Sequence, residues 1–179
     1  MPVKIERLWS MPNKHTFSIP PISTLLDEVL VGRRVIVDPF SSSSHRGTIC
    51  NDLDPSSDAE YHTDAAAFCD ELISRGVIAD AILFDPPYSP RQISEVYKRV
   101  GLAVGMRETQ NGRLYKSVRD RLAQLSREGT VAVSCGWNSA GFGQSRGFEV
   151  DQILLVAHGG AHNDTIVVVE TLKHPECCR

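Results

Sequence analysis

Asp85-Pro86-Pro87-Tyr88 is the stretch of this chain whose residue types and spacing could do chemistry. A hydrophobic run, "AILF", leads into it. Two consecutive prolines cannot continue a sheet ladder, because neither carries an N–H. They force a rigid, extended exit. The Asp85 carboxylate then stands at a fixed place, and nearby carbonyls point into a cleft rather than into pairing. Tyr88 supplies a flat face at short range. Such a site offers acceptors, no strong donor and a stacking surface. That combination suits a planar base carrying an exocyclic NH2, which donates to the acceptors while its ring stacks on Tyr88. On four residues alone, a purely structural Pro-Pro turn stays open.

The elements that would position this stretch can be read from periodicity. Pro20 and Pro21 precede Leu25, Leu26, Val29 and Leu30 at helical spacing, a first helix that Gly32 ends. "RRVIVDPF" holds a short strand, Val35 to Val37, closed by Asp38-Pro39. "SSSSHRG" is a polar loop and "TICND" a second short strand ending at Asp52. A very short strand is expected near Glu60. "TDAAAFCDELISRG" reads as a helix with Thr63 or Asp64 as cap and Gly76 at its end. "ADAILFDPP" is apolar on both faces, as a central parallel strand should be. Helical patterns follow at Pro90–Val100 and Arg113–Glu128, with a glycine-containing loop, expected to be mobile, between them. "TVAVSCGW" is a buried strand and "NSAGFGQSRG" a flexible connection. "FEVDQILLVAHG" and "DTIVVVETLK" should pair as an antiparallel hairpin. The predicted fold is α/β, a mostly parallel sheet with right-handed crossovers and a C-terminal antiparallel hairpin. In such sheets ligands bind beyond the carboxyl ends of the strands. Asp38, Asp52, Asp85 and Cys135-Gly136-Trp137 all fall at such ends.

The 179 residues suit one domain with a single real core. A net charge of −3 argues against a broad basic surface, so any nucleic-acid contact must come from a local patch. The densest candidate for a local basic patch is Arg91, Lys98, Arg99, Arg107, Arg113, Lys116, Arg119, Arg121 and Arg127. A solvated helix face fits those residues equally well. Cys50, Cys69, Cys135, Cys177 and Cys178 form no CxxC pair and read as reduced cytosolic thiols. No metal site is expected, and the "HPECC" tail reads as a frayed terminus. The N-terminus lacks a signal-peptide core, and no apolar run approaches a membrane span, so no membrane partner is expected. His158 and His162 flank the hairpin turn and read as satisfied surface histidines.

Asp-Pro-Pro-Tyr after a hydrophobic strand resembles the catalytic motif of the amino-methyltransferases. These act on adenine N6 or cytosine N4 with S-adenosylmethionine. The resemblance implies that Asp85 and the Pro86 carbonyl accept from the target amine and orient its lone pair. Pro87 belongs to the same rigid turn, and Tyr88 stacks the flipped-out base. "VIVDPF" is similar to the family's first cofactor motif, which Pro39, Phe40 and Ser41 continue. It puts Asp38 near the cofactor's methionine amino group. Asp52 stands where the family places an acid on the ribose hydroxyls, with Asp54 as the nearby competitor. Asp64 resembles the acid near the cofactor's adenine amine; a helix cap is an equally good reading. Residues 1–19 match a segment that closes over the methionine end, with Trp9 and Phe17 covering the cofactor.

The resemblance covers nearly the whole chain and implies a single domain, 1–179, of the class I, Rossmann-like methyltransferase type. "GWNSAGFG" and "HGGAHNDTIVVVE" are similar to a small phage- and archaea-type branch, which implies the cytoplasm, or the host cytoplasm for a phage protein. The implied reaction is methyl transfer to a base amine in DNA, with adenine N6 favoured because Asp rather than Ser opens the motif. The alternatives are cytosine N4, adenine in RNA, or an inactive binding subunit.

Two departures from the family pattern stand out. Ser41-Ser42-Ser43-Ser44 replaces the usual Gly-x-Gly, losing positive-φ freedom but offering hydroxyls to a carboxylate. About eight residues separate Phe40 from the next strand, too few for a full crossover helix. The N-terminal segment is expected to compensate by covering the cofactor. The chain also has no room for a target-recognition domain. Substrate choice would fall to the Gly101–Gly112 loop, the Asn138–Gly147 loop, or a partner such as a homodimer mate or a separate specificity subunit. Trp137 either extends the stacking platform or simply packs.

Overall fold

The pair Pro20-Pro21 opens the first helix, as its fixed φ and missing N–H suit a helix start. Helix α1 spans Pro20–Val29, with Ile22, Leu25 and Leu26 buried along one face. Gly32, at φ +75°, turns the chain back towards the sheet. This computed structural model describes residues 2–88, 94, 98, 111–160 and 162–175, with only the backbone for 111–114. The expected helix at Pro90–Val100 and the loop at Gly101–Gly112 lie almost wholly outside the described residues.

One seven-stranded sheet organises the chain. Its strands are β1 (Lys4–Trp9), β2 (Ile36–Asp38), β3 (Ile49–Cys50), β4 (Ala79–Phe84), β5 (Ser126–Gly136), β6 (Phe148–Ala157) and β7 (Thr165–Leu172). The spatial order is β1-β6-β7-β5-β4-β2-β3. Only β7 runs against its neighbours, pairing antiparallel with both β5 and β6. Beyond β3, a lone parallel bridge joins Asn51 to Tyr61, next to the Glu60 position expected for a very short strand.

Two apolar clusters sandwich the sheet. Along β4 the side chains alternate, Ile82 and Phe84 entering one cluster and Ala81 and Leu83 the other. Helix α2 (Ala65–Ser74) and helix α3 (Asn111–Gln124) cover the first face, and α1 covers the second. Burial on both faces is why β4 reads as an uninterrupted apolar run. Asp64 caps α2, its Oδ1 accepting from the amides of Ala66 (2.9 Å) and Ala67 (3.3 Å).

Three expectations change. Strand β1 lies within residues 1–19, where the sequence predicts only a covering segment. All six of its residues are exposed or half-buried, so it carries no alternating pattern to read. Its pairing with β6 is parallel, and Gln152 Nε2 donates across it to Glu6 Oε2 at 2.7 Å. Helix α3 ends at Gln124 rather than Glu128, because Ser126 already pairs with Ala79 of β4. The Asn138–Gly147 connection is anchored rather than free, with Phe142 buried. The short β2–β3 crossover has no helix, as its length requires. Among the described residues, no helix is long and apolar enough to cross a membrane.

Candidate functional site

Strands β2, β3 and β4 end side by side, and their carboxyl ends open into a cavity of about 640 Å3. Asp85, Pro86, Pro87 and Tyr88 line it from β4. Pro39 and Phe40 line it from β2, Asp52 from β3, and Asp64 from the cap of α2. A second cavity of about 510 Å3 adjoins it and shares Lys14, His15, Thr16, Phe40, Ser42, Ser43 and Asp85. Ser41 and Phe17 line only this second space. Phe17 is 6% exposed and belongs to the apolar cluster under α1. Trp9, 65% exposed, ends β1 at the far edge of the sheet and lines neither cavity.

The carboxylates differ in state. Asp38 is fully buried. Its Oδ1 accepts from the Phe40 amide at 3.1 Å, while Oδ2 has no hydrogen-bond partner. Burial, reinforced by the charges of Asp85 and Asp52, pushes its pKa up to about 8. Burial also raises Asp85, against hydrogen bonds from Tyr88 and Thr16 that hold it down. The Tyr88 hydroxyl donates to Asp85 Oδ1. Burial, with the nearby Asp85, raises the tyrosine's own pKa. Asp52 accepts from the amides of Ser42 (2.8 Å) and Asp54 (2.7 Å), so it shapes both loops that flank it. A carboxylate has about four lone-pair sites, so acceptor capacity remains for a diol.

The serine loop replaces glycine freedom in a specific way. Ser42 itself takes φ +49°. Gly47 supplies the close approach instead. A Cβ there would lie 2.7 Å from Cys50 Sγ and 2.8 Å from the Asp38 Cβ. Asn51 staples the surroundings, donating to the carbonyls of Pro39 (3.1 Å) and Thr63 (3.0 Å) and accepting from the Thr63 amide. The Ser43 hydroxyl and His15 Nδ1 stand 2.8 Å apart, which ties the N-terminal segment to this loop.

Trp137, 45% exposed, stands edge-on to Tyr88 with ring centroids 5.6 Å apart, so the two rings form one aromatic corner. Several residues at or beside the site carried no signal in the sequence. Thr16, Asn51 and Tyr115 are ordinary residue types in ordinary contexts. Gly47 stands in a polar loop where a glycine excites no attention. His158 is buried and bonded to the Ser10 carbonyl and to Thr165 Oγ1, away from the cavities. His162 is exposed. Of the basic stretch, Lys116, Arg121 and Arg127 pair with Asp120, Asp70 and Asp80. Arg91, Arg99 and Arg107 lie outside the described residues. Cys50, Cys69 and Cys135 are free thiols, and Cys177 and Cys178 lie outside the described residues.

No family model and no curated protein matches the sequence. Solved structures do match the fold. TrmN from Thermus thermophilus superposes with a TM-score of 0.55 at 18% identity, over 86% of this chain and 49% of its own. The N-methyltransferase NodS from Bradyrhizobium japonicum WM9 gives 0.58 at 10% identity, over 91% of this chain and 100% of its own. A SAM-dependent methyltransferase from Agrobacterium tumefaciens gives 0.50 at 12%, over 85% and 60%. The chain spans about half the length of TrmN. The likeness is one of fold: an α/β sheet of the Rossmann-like methyltransferase type, with its antiparallel β6–β7 hairpin.

Proposed function

We propose that this chain transfers the methyl group of S-adenosylmethionine to the exocyclic amine of a nucleic-acid base, adenine N6 in DNA. One observation carries the reading: Asp85-Pro86-Pro87-Tyr88 shares a single cavity with Pro39, Phe40, Asp52 and Asp64. The methyltransferase fold of the superposed structures supports it.

The residues fit the cofactor on an observation of their own. Asp38 keeps a buried oxygen without a partner, next to lining residues, and a cationic amine would satisfy it. Asp52 and Asp54 offer carboxylates to a ribose diol, and Asp64 stands ready for a ring amine. The serine loop and the Lys14–Thr16 segment border the second cavity, where a charged carboxylate tail would lie. When bound, S-adenosylmethionine supplies an electrophilic methyl group on sulfonium.

The chain's own task is positioning. Asp85 and the Pro86 carbonyl accept hydrogen bonds from the two N–H groups of the amine and turn the nitrogen lone pair away from the ring, and Asp85 takes the single proton released on methylation. Asp85 is buried and its pKa is raised, which suits a group that must receive a proton as the amine gains its methyl. Tyr88 and Trp137 present the aromatic faces against which an extruded base would rest.

The test uses labelled S-adenosylmethionine with mixed DNA and, separately, RNA, followed by digestion to nucleosides. The expected product is N6-methyladenine from DNA. Asp85→Ala should lower transfer by at least about 100-fold while the cofactor Kd changes little. N4-methylcytosine, or product from RNA alone, would overturn the substrate assignment. No transfer and no cofactor binding would leave a binding module on a methyltransferase fold.

A further inference from the structure

Helix α3 reaches the site through Tyr115. Its side chain is 7% exposed and lines the cavity. The ring stands edge-on to Phe40, with centroids 6.3 Å apart, and to Phe84, at 6.2 Å. Phe40 lies on the loop that follows β2, and Phe84 is the last residue of β4, directly before Asp85. The Tyr115 hydroxyl donates to the Pro87 carbonyl. One side chain therefore touches the Asp38 loop, the end of β4 and the turn between Asp85 and Tyr88.

The Pro-Pro turn needs such an anchor. Proline fixes φ but leaves ψ free, and the two residues have no N–H with which to join a ladder. A bond to the Pro87 carbonyl fixes the plane of the Pro87–Tyr88 peptide. That plane sets the direction in which Tyr88 leaves the turn. It also withdraws the Pro87 carbonyl from competition and leaves the Pro86 carbonyl as the backbone acceptor for the target amine.

We infer that Tyr115 is a positioning residue for methyl transfer, whose hydroxyl holds the Pro87 carbonyl and so aims both Tyr88 and the Pro86 carbonyl at the base. The inference rests on the amino-methyltransferase reading. A buried tyrosine hydroxyl needs a partner in any core, so the test must separate aiming from mere satisfaction.

Tyr115→Phe keeps the ring against Phe40 and Phe84 and removes only the hydroxyl. With S-adenosylmethionine and mixed DNA, kcat should fall by about 10- to 100-fold, the scale of a misplacement near 1 Å. The cofactor Kd and the KM for DNA should stay within about twofold, and the melting temperature should barely move. Tyr115→Leu removes the ring as well and should weaken cofactor binding in addition, through Phe40. A Tyr115→Phe enzyme with wild-type kcat overturns the inference and leaves the methyltransferase reading standing. So does a kcat loss matched by equal losses in cofactor affinity and melting temperature. Wild-type protein that methylates no base overturns both.

Discussion

Asp38 and Glu170 are both fully buried carboxylates, and the regions around them have been built to opposite ends. Glu170, on β7, is satisfied. Its two oxygens accept from the amides of Phe142 (2.5 Å) and Gly143 (2.9 Å), and Arg119 and Arg146 lie close enough to stabilise its charge. Arg119 also donates to the Gly141 carbonyl and stands over the Phe84 ring, 5.4 Å from its centroid. Asp38, on β2, has one oxygen without a partner and two acids for neighbours. Burial raises both groups. Hydrogen bonds and arginines oppose the rise at Glu170, whereas a single amide opposes it at Asp38. A buried acid with both oxygens bonded to one loop's amides holds that loop in place. A buried acid left short of a donor, behind the Pro39 and Phe40 that line the cavity, has acceptor capacity that the fold itself does not use.

The largest expected effect breaks the satisfied side. Glu170→Ala leaves two buried amides without acceptors and Arg119 without its counter-charge. Removing one partner from such a network costs about 3–5 kcal/mol. The Gly141–Gly147 loop should then release Phe142, whose ring lies 5.8 Å from Phe84. Chemical denaturation reads the loss. A destabilisation of under about 1 kcal/mol would mean that the loop does not depend on this carboxylate.

Asp38→Asn should do the reverse. It mimics the protonated acid, so stability should hold or rise, while S-adenosylmethionine affinity should fall by about 10- to 100-fold, the worth of a charged hydrogen bond. The pH dependence has a definite sign. In the unfolded chain Asp38 titrates near ~4, and in the fold its pKa is raised to about 8. Between these values the native state holds a proton that the unfolded state has lost, so this residue's contribution is fully present below ~4 and is lost as pH rises through about 8. The stability gap between Asp38→Asn and wild type should therefore widen from pH ~4 and level off above about 8. A gap that stays flat across that window would place Asp38 in an ordinary, solvated state.

The contrast between these two acids explains what the sequence could disclose. Asp85-Pro86-Pro87-Tyr88 was legible because prolines after an apolar strand have few explanations. Asp38 was legible because it ends a short β-branched run. Asp64 showed its cap because it stands one residue before an alanine-rich helix. Glu170 was not legible, since an acid in "VVVETLK" reads as the solvent face of an edge strand. Its role depends on a loop some thirty residues earlier in the chain, and only the fold joins them. Glycine content made that loop look free, because composition reports turn freedom and not the acceptor that ends it. Tyr115 was hidden for a similar reason, as a tyrosine at helical spacing looks like core until its hydroxyl is seen on Pro87. Strand β1 was hidden because an exposed edge strand has no buried face to impose alternation.

The smallest effect tests the two loops at the same backbone angle. Ser42 in the Asp38 loop has φ +49°, and Gly141 in the Glu170 loop has φ +48°. At Gly141 a side chain would have to displace the Glu170 carboxylate, because its Cβ would fall 2.2 Å from Glu170 Oε2. At Ser42 a side chain is present despite the left-handed backbone, which costs a non-glycine residue about 1–2 kcal/mol. Ser42→Gly removes that cost but gives the unfolded chain more freedom, worth about 0.5–1 kcal/mol in the other direction. The net gain in stability should therefore be small, about 0.5 kcal/mol. The Ser42 amide keeps its bond to Asp52 in either case. If the serine is retained for its hydroxyl at the junction of the two cavities, the same substitution should weaken cofactor binding while stabilising the fold. Tighter binding alongside the gain in stability would show that the loop merely tolerates serine where glycine would serve better.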